Sequence, residues 1–226
     1  MNILAVTDIH SSGRINQTGL SEIITQENID LLIIAGDITT WGTAKLVEKI
    51  LSKFNNLEIP IFYVPGNMDP KKVTDIQMTN ITPLHNKAIE HSGITFIGIG
   101  GSNPTPFPCP NIFSEEEINQ MLETAKQTTE ENVPLILVSH APPKNSEADK
   151  TRGGQHVGSV AVRNFVEKYD PLAVICGHIH ESKSISEIDK TLCINPGPMA
   201  RGSGALLKIV EEKEGKYQIT ARFIEF

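Results

Sequence analysis

Short apolar runs recur along the chain, and segments with helical periodicity separate several of them. Three runs near the N-terminus, Ile3–Val6, Leu31–Ala35 and Ile61–Val64, are continuously apolar rather than alternating. Continuous runs predict strands that are buried on both faces. Leu20–Gln26 and Thr43–Phe54 lie between these runs and carry apolar residues at helical spacing. The order strand, helix, strand, helix, strand predicts parallel strands joined by right-handed crossovers.

The pattern changes after the third strand. Lys87–His91 and Ile94–Ile99 flank Ser92-Gly93, which predicts a two-residue hairpin turn. Ser114 precedes three glutamates and predicts a capping box that opens a helix to about Gln127.

The C-terminal half is predicted to alternate strands with one helix and to end in antiparallel strands. The elements are a strand at Pro134–Val138, a helix at Ser159–Tyr169, a strand at Leu172–Cys176, and antiparallel strands at Ser182–Glu187, Leu192–Ile194, Ala205–Glu211 and Tyr217–Phe226, with the last hairpin turning at Glu214-Gly215. Because no repeat or linker divides the chain, residues 1–226 are expected to form one mixed α/β domain with two sheets.

Composition narrows the class of protein. The 226 residues are 39% hydrophobic and 21% charged, as in ordinary globular proteins. The formal net charge of -7 lacks the basic excess with which proteins bind long nucleic acids. Cys109, Cys176 and Cys193 have no paired spacing that would predict disulfides or a structural zinc site. The N-terminus lacks a signal-peptide pattern and the apolar runs are too short to span a membrane, so we expect a soluble, cytoplasmic protein.

Polar residues follow five of the predicted strands directly, where ligand sites form in open α/β sheets. Taken singly, each motif has an ordinary alternative, such as a helix cap, a turn or a solvated histidine. Their joint occurrence in this order predicts one site, formed by Asp8 and His10, Asp37, Asn67, His140, and His178 with His180.

These residue types suit a pair of divalent ions. Imidazoles, carboxylates and an amide oxygen are ligands for Mn, Fe or Zn. Two such ions about 3.5–4 Å apart can share a hydroxide and clamp the oxygens of an in-line phosphoryl displacement. The sequence therefore predicts a hydrolase of phosphate esters that acts through a metal-bridging hydroxide.

The ordered motifs Asp-x-His, Gly-Asp, Gly-Asn-x-Asp, His and Gly-His-x-His resemble the calcineurin-like metallophosphoesterase superfamily. The loop that begins at Gly101 and the segment Asn195-Pro196-Gly197 further resemble its small prokaryotic predicted phosphoesterases. The resemblance implies a four-layer α/β sandwich with two mixed β-sheets flanked by helices. It also implies two divalent metal ions, with Mn favoured: Asp8, His10 and His180 would hold one, Asn67, His140 and His178 the other, and Asp37 would bridge them.

The sequence departs from the family at its third motif, which reads Gly-Asn-Met-Asp. Met68 stands where many members have a histidine thought to protonate the leaving group, and a thioether has no proton to give. The aspartate that orients that histidine in relatives is also missing, because Thr40 occupies its position. General-acid help is therefore either weak or comes from elsewhere. His156 is one catalytic candidate, or an ordinary loop histidine; Arg201 is a candidate phosphate contact, or a surface arginine.

Three functions remain open at this point. The first is a dinuclear phosphoesterase that favours phosphodiesters, with a small phosphate-ester or nucleotide substrate and no membrane partner; a homo-oligomer is compatible with it. The second is a phosphomonoesterase. The third is a catalytically weak scaffold, since some superfamily members, including the retromer scaffold subunit, use the fold for protein contacts. Trp41, next to the second motif, could stack on a base or pack beside the site.

Overall fold

The computed structural model of the protein describes residues 1–12, 17–76, 78–131, 133–212 and 215–226. In chain order its principal elements are β1 (Asn2–Val6), α1 (Gln17–Gln26), β2 (Leu31–Ala35), α2 (Ala44–Leu51), β3 (Ile61–Val64), β4 (Ile81–Pro83), β5 (Lys87–His91), β6 (Ile94–Ile99), α3 (Glu115–Gln127), β7 (Leu135–Ser139), α4 (Val160–Tyr169), β8 (Ala173–Ile175), β9 (Ser184–Ile188), β10 (Thr191–Asn195), β11 (Ser203–Glu211) and β12 (Tyr217–Glu225). Short 3₁₀ helices cover Ser52–Leu57, Lys71–Asp75, Glu147–Asp149 and Met199–Arg201.

The strands form two mixed six-stranded sheets. The first has the order β12-β11-β1-β2-β3-β4 and the second has the order β5-β6-β7-β8-β10-β9. The central strands β1 to β4 are parallel in the first sheet, and β6, β7, β8 and β10 are parallel in the second. Antiparallel strands complete both sheets.

Three apolar clusters lie between the layers of helices and sheets. Alternate residues of β1 show the arrangement: Leu4 and Val6 pack with helices α1 and α2, whereas Ile3 and Ala5 pack against the second sheet. The third cluster joins the outer face of the second sheet to α3 and α4. The continuous apolar runs are thus strands buried on both faces, and the predicted α/β sandwich of four layers is confirmed.

Local signals account for several element ends. Ser114 and Glu117 form the predicted capping box at the start of α3. Thr43 and Ser159 cap α2 and α4 with their side-chain oxygens. Each cap accepts a hydrogen bond from a backbone N–H that has no partner within its helix. The two-residue turn at Ser92-Gly93 joins β5 and β6, as predicted.

Some sequence predictions need correction. The helix predicted to Phe54 ends at Leu51 and continues as a 3₁₀ helix. The sequence missed β4, which has three residues and contains Pro83. The antiparallel pairings predicted for the tail hold for β9 with β10 and for β11 with β12, but these two pairs belong to different sheets, and β10 also pairs with β8 in parallel. Glu214 lies outside the described residues, so the turn at Glu214-Gly215 stays a prediction. Among the described helices, none has the length and apolar character needed to cross a bilayer.

Candidate metal centre

The predicted ligands lie where five parallel strands end. The first sheet contributes the residues after β1, β2 and β3, and the second contributes those after β7 and β8. The two sheets face each other, so these strand ends share one rim. The structure brings all seven predicted ligands together there, through direct contacts among Asp8, His10, Asp37, Asn67, His140, His178 and His180.

One group consists of Asp8, His10 and His180, whose ligand atoms all lie within 4.8 Å of one another. The two Nε2 atoms of His10 and His180 face each other at 3.0 Å. Asp8 Oδ1 lies 3.2 Å from His180 Nε2 and 3.6 Å from His10 Nε2. Thr40 Oγ1 lies 3.0 Å from His10 Nδ1, on the other side of the ring. Two imidazole lone pairs and a carboxylate that converge in this way suit a shared divalent cation.

The second group consists of Asp37, His140 and His178, also within 4.8 Å of one another. Asn67 joins it, because its Oδ1 lies 3.0 Å from His140 Nε2. His140 Nδ1 donates to the backbone carbonyl of Ala35 at 2.8 Å, which directs Nε2 into the group. This is an outer partner of the kind that fixes the tautomer of a metal-binding histidine.

Asp37 connects the two groups. Its Oδ2 lies 3.5 Å from His140 Nε2 and 3.7 Å from His10 Nε2. Its Oδ1 accepts a hydrogen bond from the backbone N–H of Met68 at 2.9 Å, so the carboxylate has a fixed orientation. This position fits the bridging role that the family resemblance implies. The combined donor set of imidazole, carboxylate and amide groups fits a pair of Mn, Fe or Zn ions.

The electrostatics of the site are unusual because burial and opposite charge compete. Burial opposes ionisation of Asp8, yet the hydrogen bonds with His10 and His180 hold the pKa of its carboxyl well below the usual range. Burial also disfavours the charged form of His140, but the nearby Asp37 carboxylate raises the pKa of this ring to about 9. Burial lowers the pKa of His178 to about 4, so this ring is in the neutral form that binds metals.

The backbone is constrained around the ligands. Asp8, His10, Asp37 and His178 have φ angles between 45° and 69°, in the left-handed region that costs energy for residues with a side chain. Gly66 allows close approach: a Cβ there would lie 1.9 Å from Asp37 Oδ1. Strain of this kind persists only where the surrounding structure enforces it, as at a functional site.

Asp69 is a buried residue beside the site to which we assigned no role from the sequence. Its buried carboxylate accepts hydrogen bonds from the backbone N–H groups of Ile38, Thr39 and Gly66, and from the hydroxyl of Thr39. It thereby joins the turn that carries Asp37 to the turn that carries Asn67. Burial raises the pKa of Asp69 to about 6, and the charge of Asp37 adds to the effect. The signal was present in the sequence, because this aspartate completes the Gly-Asn-Met-Asp motif.

A cavity of about 660 Å³ opens beside the second group, and Asn67 and His178 contribute to its wall. Trp41 and Phe107 line it with 61% and 72% of their surface exposed, so Trp41 is not packed away beside the site. Other lining residues include Met68, Pro104, Pro106, Lys144, His156 and Val157. The wall is therefore mainly apolar, with a few polar groups.

The two predicted catalytic residues differ in position. His156 lines the cavity, and its Nδ1 is 2.5 Å from Oδ1 of the buried Asp149. It is not an ordinary solvated loop histidine. Arg201 ends the short 3₁₀ helix after β10, is exposed, and does not line this cavity. Its neighbour Ala200 donates to the backbone carbonyl of Asp8.

Comparison with known proteins identifies relatives of this chain. An uncharacterized protein of Methanocaldococcus jannaschii is 36% identical over 204 residues, which cover 88% of each chain. A 3′,5′-cyclic-nucleotide phosphodiesterase of Nostoc is 24% identical over 196 residues, covering 80% of this chain and 72% of that protein. The crystal structure of a Thermus thermophilus protein superposes with a TM-score of 0.71 over 97% of both chains, at 15% identity, and supports the fold alone. Residues 1–182 match the model of the calcineurin-like phosphoesterase family, and the chain belongs to that family.

Proposed function

We propose that this protein is a dinuclear-metal-dependent phosphodiesterase. The observation that carries the proposal is the position of Asp37, whose Oδ2 lies within 3.7 Å of a histidine from each ligand group. One divalent ion would be held by Asp8, His10 and His180, and the other by Asn67, His140 and His178, with Asp37 shared between them.

When bound, two such ions would activate a water molecule and neutralise charge on the phosphoryl oxygens. The protein's own contribution is to orient the ligands. Ala35 and Thr40 hold the outer nitrogens of His140 and His10, and Asp69 ties together the turns that carry Asp37 and Asn67. We favour Mn²⁺, because the ligand groups include carboxylate and amide oxygens and contain no thiolate.

The cavity favours a diester over a monoester. A phosphodiester carries a second organic group, and the cavity of about 660 Å³ offers it mostly apolar walls. The exposed faces of Trp41 and Phe107 suit a flat group such as an aryl ring or a nucleobase. The relative from Nostoc is a cyclic-nucleotide phosphodiesterase, and a cyclic nucleotide is likewise a phosphodiester. The net charge of -7 still disfavours a long nucleic acid.

Two wider expectations accompany this proposal. The apolar cluster between the sheets takes residues from β1 and from β11, so we treat residues 1–226 as one domain. Cys109, Cys176 and Cys193 are free thiols, which fits a cytoplasmic enzyme.

The test compares bis(4-nitrophenyl) phosphate with 4-nitrophenyl phosphate, with and without added Mn²⁺. We expect Mn²⁺-dependent hydrolysis with a higher kcat/KM for the diester. Mutation of an outer-shell partner of a metal ligand typically costs roughly 10–100-fold in activity. Asp37→Asn changes a ligand itself and should lower the rate by more than that. The exposed Asp75→Asn is the matched control and should retain activity. A higher kcat/KM for the monoester would favour a phosphomonoesterase, and protein that binds no metal and hydrolyses neither ester would favour a scaffold.

A further inference from the structure

The proposed reaction needs a proton for the leaving oxygen, and Met68 cannot supply it. Met68 lines the cavity together with Cys109, Lys144 and His156, which do carry exchangeable protons. Cys109 Sγ already accepts a hydrogen bond from Asn67 Nδ2 at 3.3 Å. Lys144 Nζ donates to the backbone carbonyl of His156 at 2.5 Å. The imidazole of His156 is therefore the best placed donor in this wall.

Asp149 determines which nitrogen of His156 is engaged by the protein. This carboxylate is fully buried, and each oxygen accepts two hydrogen bonds. Oδ2 accepts from the backbone N–H groups of Asn145 and Gly158, and Oδ1 accepts from Ser146 N–H and His156 Nδ1. Because a carboxylate with four donors around it acts as an acceptor, the proton of this pair lies on Nδ1. Nε2 is then the nitrogen left to exchange a proton with a bound molecule.

The segment around His156 is fixed on several sides. A backbone bridge joins Lys150 to His156, and Val157 N–H donates to the carbonyl of Asp149. Asn103 Nδ2 donates to the carbonyl of Val157 and thereby ties the segment to the loop that forms another part of the cavity wall. The side chain of His156 nevertheless keeps 31% of its surface exposed. A fixed ring with one free nitrogen has the geometry of a catalytic imidazole oriented by a carboxylate.

We infer that His156 protonates the leaving oxygen of the ester, and that Asp149 is its positioning residue; this inference rests on the proposed function. A water oxygen forms a new bond to phosphorus while the bond from phosphorus to the leaving oxygen breaks. The electron pair of the broken bond stays on the leaving oxygen, which takes the Nε2 proton of the imidazolium. The Nδ1 proton stays on His156 in its hydrogen bond to Asp149, Nε2 regains a proton from solvent, and the attacking water releases one proton to solvent.

The test varies the leaving group. 4-Nitrophenyl methyl phosphate releases a stable anion that needs little protonation, whereas phenyl methyl phosphate releases a more basic one. His156→Asn is the informative variant, because an asparagine amide can still donate to Asp149 and lacks Nε2. We expect kcat/KM for the phenyl ester to fall by about 100-fold or more and that for the nitrophenyl ester to change much less. His156→Gln is the second variant, and His91→Gln, on the edge strand β5, is the matched control.

Asp149→Asn should reproduce the same selectivity for the better leaving group, which a merely structural role would not produce. Thermal unfolding and bound metal, measured for every variant, show whether each protein is folded and loaded. An equal loss on both esters, or no loss on either, in folded and metal-loaded His156→Asn would overturn the inference and leave the proposed function standing. Wild-type protein that hydrolyses neither ester with Mn²⁺ would overturn both.

Discussion

Replacing Asp69 by alanine should destabilise the protein and weaken the metal centre together. The carboxylate accepts hydrogen bonds from Thr39 N–H at 2.7 Å, Gly66 N–H at 2.8 Å, Ile38 N–H at 3.0 Å and the Thr39 hydroxyl at 2.8 Å. Asp69→Ala would leave three buried backbone N–H groups without this acceptor. A buried donor without a partner costs about 1–3 kcal/mol, which gives a range of about 3–9 kcal/mol.

Two effects reduce that cost. Water can enter the space that the carboxylate leaves, and removing its charge relieves repulsion with Asp37, which is one cause of the raised pKa of Asp69. We therefore expect the free energy of unfolding to fall by about 3–5 kcal/mol, near the lower end of the range.

The assay is urea denaturation followed by far-UV circular dichroism, with chelator present so that bound metal does not contribute. Asp75→Ala is the matched control, because Asp75 is an exposed aspartate that ends a short 3₁₀ helix. It should stay within about 0.5 kcal/mol of wild type. Metal content, measured without chelator, should fall in Asp69→Ala. A change of less than about 1 kcal/mol, together with full metal content, would show that Asp69 does not hold the two turns together.

Three further predictions concern His85, Glu115 and metal binding. Burial lowers the pKa of His85 to about 4 from 6.5, and its Nδ1 accepts from Gly100 N–H; the stability that the neutral ring contributes is therefore complete above about pH 6.5 and is lost as the pH falls towards 4. Between about pH 7.5 and 4.5, the free energy of unfolding should fall by about 2–3 kcal/mol more in wild type than in His85→Gln. An equal fall in the two proteins, measured by urea denaturation at each pH, would contradict this. Glu115 accepts from Ser159 Oγ and Ala161 N–H, so Glu115→Ala should cost about 1–3 kcal/mol in chemical denaturation, whereas the exposed Glu116→Ala should cost almost nothing. Mn²⁺ at about 100 times its dissociation constant should stabilise chelator-treated protein by about 2.7 kcal/mol per site, seen as a rise in Tm that Asp37→Asn diminishes.

Much of the fold was predictable because its strands are buried on both faces. Such strands read as continuous apolar runs, and β1, β2 and β3 follow them closely. The parallel pairing of β8 with β10 was not predictable in the same way. Which strand pairs with β8 depends on how the chain returns to the sheet after β8. That is a long-range property, and no local pattern of residues indicates it. β4 was missed because three residues with a proline carry no periodicity.

The candidate site shows the same division between local and long-range information. Asp8, His10 and Asp37 stand in short motifs at predicted strand ends, so their convergence could be expected from sheet geometry. The partnership of His156 with Asp149 could not, because a turn of glycine-rich chain separates them and only folding brings their side chains together. The hydrogen bond between His85 and Gly100 was equally hidden, because a whole hairpin separates the two residues along the chain.

In the proposed metal centre, two divalent ions share the carboxylate of Asp37 at this rim. A crystal structure of the protein grown with Mn²⁺, with anomalous scattering recorded at the manganese edge, tests it most directly. We expect two anomalous peaks, one among Asp8, His10 and His180 and one among Asn67, His140 and His178, with Asp37 touching both. Crystals in saturating Mn²⁺ with no peak at either group would contradict it.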